Sequence, residues 1–136
     1  MQSAGKGLEK LNRPASPQET SLGRWLVDHG EPESAYLSDQ IDGLEVVSKC
    51  SCGCPTVYFG FNRSPASRKG ERLVSDWLAR MDGELFGVML FEVDQQISSL
   101  EVYSCSGKVA GFNLPTSEML LGYDDRSADR LAPPSP

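Results

Sequence analysis

A chain of 136 residues, 39% hydrophobic and 24% charged, is long enough for one domain with a true core and too short for two of ordinary size. Its net charge of −6 repels phosphate backbones, which speaks against general nucleic-acid binding and suits a basic protein partner. No apolar run reaches membrane-spanning length and the first residues lack the apolar stretch of a secretion signal, so the expectation is a cytoplasmic protein with reduced thiols.

Residues 1–15 show no apolar periodicity and read as a flexible N-terminal segment. Ser16-Pro17-Gln18-Glu19 then gives a helix start: serine to cap free amides, proline for the first turn, glutamate to close a capping box. Leu22, Trp25, Leu26 and His29 fall on one helical face, and Gly30 supplies a stop. A second helix is expected from residue 32 or 33 to 41, with Tyr36, Leu37 and Ile41 as its apolar stripe.

After Gly43 the period changes from 3.6 to 2, and strands are predicted over 44–50, 56–61, 73–81, 84–93 and 97–104. The connection 62–72 is polar and carries Arg63, Arg68, Lys69 and Arg72 against Glu71 alone. Asp82-Gly83 is a two-residue hairpin turn, and 84–93 is the most apolar strand. A short edge strand is expected at 108–114 and one helical turn at 117–121; the tail 124–136 is too polar and proline-rich to order itself.

The expectation is therefore an α+β domain over residues 16–123. Two N-terminal helices pack on one face of an antiparallel meander sheet of five or six strands. An edge such as 97–104 or 108–114 would be open to pairing with a second copy, which leaves the oligomeric state undetermined.

Three of the four cysteines, Cys50, Cys52 and Cys54, lie within five residues. With Cys105 they make a four-thiolate zinc set of the right number and softness. The spacing is tight for zinc, since paired cysteines usually have about two to four residues between them. In an extended strand, residues two apart are roughly 6.6 Å from each other, whereas tetrahedral thiolates around zinc are about 3.8 Å apart. The run must bend, and Gly53 allows it. A second reading is thiol redox chemistry at Cys52-Gly53-Cys54, for which Lys49 is the one nearby cation. The third is packing, because reduced cysteine behaves as a small buried hydrophobe; this is the reading that the pattern favours.

His29 stands in the last turn of a helix, where it complements the dipole, and no nucleophile accompanies it. Asp76, Asp82, Glu84, Glu92 and Glu101 fall on or between the strands. On an open sheet face some would join Trp77 or Tyr103 in an acidic, aromatic-edged surface for a basic protein. There is no glycine-rich phosphate loop, dinucleotide fingerprint or hydrolase elbow.

The run Lys49-Cys50-Ser51-Cys52-Gly53-Cys54-Pro55-Thr56, followed by Gly87-Val88-Met89-Leu90-Phe91 and Leu100-Glu101-Val102-Tyr103, resembles a group of small bacterial proteins. The resemblance covers residues 20–121 and implies no activity. The functional expectation is a non-enzymatic, protein-binding domain with an acidic surface; the alternative is a cysteine-based zinc-binding or thiol-redox domain.

Overall fold

The computed structural model describes residues 8–60 and 70–121. The expected disordered tail, the first seven residues of the lead-in and most of the arginine-rich connection lie outside the described residues.

The first helix, α1 (Pro17–Asp28), starts as its sequence dictates. The Ser16 hydroxyl accepts from the Glu19 N–H at 3.1 Å, and the Ser16 N–H donates to the Glu19 carboxylate at 2.8 Å. Arg13 clamps the same carboxylate with two hydrogen bonds of 2.9 Å, so Glu19 closes the cap and an ion pair together. Leu22 and Leu26 are buried in the core. Trp25 is half-buried; it stacks on His29 at 3.9 Å and meets Trp77 edge-on at 4.7 Å. His29 caps the helix, and its Nδ1 lies 2.9 Å from the Trp25 carbonyl oxygen.

The expected second helix is present, but as a 3-10 helix over Pro32–Gly43. Leu37 and Ile41 are fully buried, while Asp and Ser fill much of the rest, so few side chains reward the wider α-helical turn. Gln40 pins it to the sheet, donating to the Gln95 carbonyl and accepting from the Ile97 N–H.

Among the described residues, seven antiparallel strands form one sheet: β1 (Leu8–Pro14), β2 (Glu45–Cys50), β3 (Val57–Phe59), β4 (Arg72–Met81), β5 (Glu84–Val93), β6 (Gln96–Ser104) and β7 (Leu120–Leu121). Their spatial order is β1-β2-β3-β6-β5-β4-β7. This corrects the five- or six-stranded meander behind two N-terminal helices. Two runs of consecutive neighbours, β1-β2-β3 and β4-β5-β6, join where β3 pairs with β6, and both helices lie in the connection between β1 and β2. The physical reason is that β1 is an edge strand whose residues are mostly exposed. It is held by backbone pairing to β2, from Leu8 opposite Cys50 to Pro14 opposite Glu45, and so needs no apolar alternation.

The other end of the sheet is corrected as well. Residues 97–104 are an interior strand, 108–114 form no strand, and the short β7 takes the edge beside β4. Phe112 uses the intervening segment to reach the core, its ring 4.5 Å from Phe86.

The hairpin at Asp82-Gly83 matches its sequence, with both residues in the left-handed region (φ 52° and 80°) that a tight turn between right-twisted strands demands. Residues directly opposite in an antiparallel pair share a face. Trp77, Val88 and Val102 are opposite one another on the α1 side, whereas Asp76, Met89 and Glu101 occupy the other face with Tyr103. None of the helices is long and apolar enough to cross a membrane, among the described residues.

Candidate metal centre

Strand β2 ends at Cys50, and the chain turns through Ser51–Pro55 before β3 begins at Val57. The Cys50 N–H donates to the Thr56 carbonyl at 3.2 Å, which closes the loop at its neck. Gly53 has φ +100°, a conformation that a side chain would resist, and it puts the kink between Cys52 and Cys54. Behind the loop, the buried Thr56 hydroxyl accepts from the Val102 N–H at 2.9 Å and donates to the Val102 carbonyl at 3.1 Å. The loop is thus curled by glycine and fixed at its base to β6.

The bend brings the three sulfurs together. Cys50 and Cys52 Sγ are 2.8 Å apart, Cys52 and Cys54 Sγ are 3.1 Å apart, and all three lie within 4.8 Å of one another. The Cys52 N–H points at the Cys50 sulfur and the Cys54 N–H at the Cys52 sulfur, each at 3.4 Å. Cys52 is exposed, and Cys50 and Cys54 are half-buried. Burial, followed by the hydrogen bond to Cys52, pushes the Cys50 thiol up to about 12. The Cys52 thiol moves the other way, chiefly because Cys50 donates to it, against some burial. Of these two, Cys52 is therefore the easier to ionise.

Cys105 does not join the group. It follows β6, exposed, with its N–H donating to the Leu85 carbonyl, which puts it on the β5 side of that strand. Among the described residues, no histidine or carboxylate joins the three cysteines either. Of the four cysteines weighed as a zinc set, Cys50, Cys52 and Cys54 lie together and Cys105 is not in their group.

A cleft of about 540 Å³ adjoins the loop, lined by Cys54, Lys49, Thr56 and Asn113 together with the Arg13–Glu19 pair. That is the size of an ordinary small-molecule site. Burial works to raise the Glu19 carboxyl, but hydrogen bonds from Arg13 and from the Ser16 amide, with the guanidinium charge, hold it below its usual range.

A second polar constellation went unrecognised in the sequence. The Tyr36 hydroxyl donates to Glu92 at 2.7 Å, Arg72 Nε donates to the other Glu92 oxygen at 3.0 Å, and a second Arg72 nitrogen reaches Ser34. It ties the 3-10 helix to β4 and β5 through a buried carboxylate. The residues are far apart in the chain, and no spacing rule links them.

No protein-family model, curated protein or solved structure matches the chain.

Proposed function

We propose that this is a metal-binding domain that holds one ion through the thiolates of Cys50, Cys52 and Cys54. The observation that carries this is the convergence of three sulfurs within 4.8 Å on a loop anchored at its base. Sulfurs so close fit a single ion; an iron–sulfur cluster would spread its cysteine ligands around several atoms. Exposure of Cys52 gives the ion a way in, and ionised sulfur is the form that binds it. Zinc belongs to the class of ions that thiolates take.

A second reading, thiol–disulfide exchange, is favoured by one observation. Cys52 is exposed, the easier of its pair to ionise, and flanked by a sulfur on each side.

Metal analysis of freshly purified, reduced protein, combined with thiol titration, separates the two. The expected result is about one equivalent of bound metal, with Cys105 alkylated at once and the loop cysteines only after chelation. In the stripped protein, Cys52 should alkylate before Cys50. Metal-free protein that loses a pair of loop thiols reversibly on oxidation would replace the first reading by the second. Metal-free protein whose loop thiols neither bind nor cycle would dispose of both.

A further inference from the structure

We propose, resting on the metal-binding reading, that the ion is a soft monovalent one of the copper(I) class, held three-coordinate by Cys50, Cys52 and Cys54 with no fourth ligand. Three features of the site point there. Its donor set is all sulfur, the softest available, and soft thiolates select soft ions. Zinc asks for four ligands, and among the described residues the group ends at three. The ligands are also separated by single residues, tighter than the spacing of about two to four that lets a backbone curl round a tetrahedral ion.

The dimensions agree. Three sulfurs in a plane around one ion, at a bond length of about 2.3 Å, stand about 4.0 Å apart. The loop sulfurs are 2.8 and 3.1 Å apart along the chain, with every separation within 4.8 Å. An outward shift of the exposed Cys52 lengthens both of its short separations toward that value. Three thiolates around a monovalent ion carry net negative charge; Lys49, paired with Glu9 at 3.9 Å, lines the same cleft as Cys54.

The test uses the full, reduced chain without oxygen, loaded in parallel with copper(I) delivered from a weak chelate and with zinc. X-ray absorption at the copper edge should report three sulfurs in one shell, at about one ion per chain. Cys105→Ser should leave copper content and spectrum unchanged. Cys52→Ser should weaken copper binding by more than the about 10–100-fold that loss of a mere supporting partner costs. Urea unfolding of both variants establishes that they are folded.

A shell of two or four sulfurs, several ions per chain, or copper lost in Cys105→Ser would overturn the three-coordinate site while leaving a metal-binding protein. Zinc bound in stoichiometric amount with no copper taken up would do the same. A chain that takes neither metal would overturn the metal-binding reading itself.

Discussion

Replacing Phe86 by alanine should lower the free energy of unfolding by about 3–5 kcal/mol, the range for emptying a large aromatic site in a packed core. Phe86 is 2% exposed, opposite Ala79 on one neighbouring strand and Ser104 on the other, with the Phe112 ring against it. Alanine there removes contacts with the sheet interior and also the surface on which the segment before Ser117 rests. Phe112 is only half-buried, so Phe112→Ala should cost less, and the double variant less than the sum, because the rings share one contact. Urea unfolding of the three variants measures this. A Phe86→Ala loss below about 1 kcal/mol, the size of an average substitution, would show that the core is not built around this strand.

Arg72→Ala should be the other costly change, and its cost should depend on pH. Glu92 has a side chain only 8% exposed, and Arg72 supplies both its charge partner and a hydrogen bond. Removing one partner of a buried pair costs about 3–5 kcal/mol; Arg72 is itself 40% exposed, so water recovers some of that and the lower end is expected. Burial tends to raise the Glu92 carboxyl, but Arg72 and Tyr36 outweigh it and hold it below the ordinary value of 4.5.

The sign follows from linkage. A carboxyl whose folded pKa is depressed contributes stability above its unfolded pKa, and loses it as pH falls through the folded value. In the parent, that contribution should be complete at neutral pH and fade below about 4.5. In Arg72→Ala, burial is left without its main opponent, so Glu92 protonates at higher pH and ceases to be an unpaired charge. The gap between parent and variant should be widest at neutral pH and narrow in acid. A gap independent of pH would mean that Arg72 stabilises by packing alone.

How much of this could be read beforehand depended on whether the cause was local. Ser16 and Glu19 are three residues apart and cap the helix as their types require. Asp82-Gly83 sets its own turn, and the apolar run of β5 declares an interior strand. The cysteine spacing pointed rather to packing, and only the need for a bend at Gly53 was legible; that bend is what brings the three sulfurs together. What stayed hidden was non-local. Leu8–Pro14 is a strand because β2 offers it a backbone edge, and its side chains carry no sign of that. The pairing of β3 with β6 is a property of topology, as is the meeting of Tyr36, Arg72 and Glu92.

The placement of both helices between two paired strands has a kinetic consequence. Hairpins β4–β5 and β5–β6 close over a few residues each, at little entropic cost, whereas β1 must find β2 across the entire helical segment. On refolding from urea, amides of β5 and β6 should be protected early and those of β1 last, as read by pulsed hydrogen exchange; simultaneous protection would contradict this order. Because Cys50 is the residue opposite Leu8, the outer edge of that cysteine is covered only in this late step, whereas the neck of the loop closes locally between β2 and β3. The three cysteines, on one loop between neighbouring strands, can thus gather before the sheet is whole, and β1 walls their edge only afterwards.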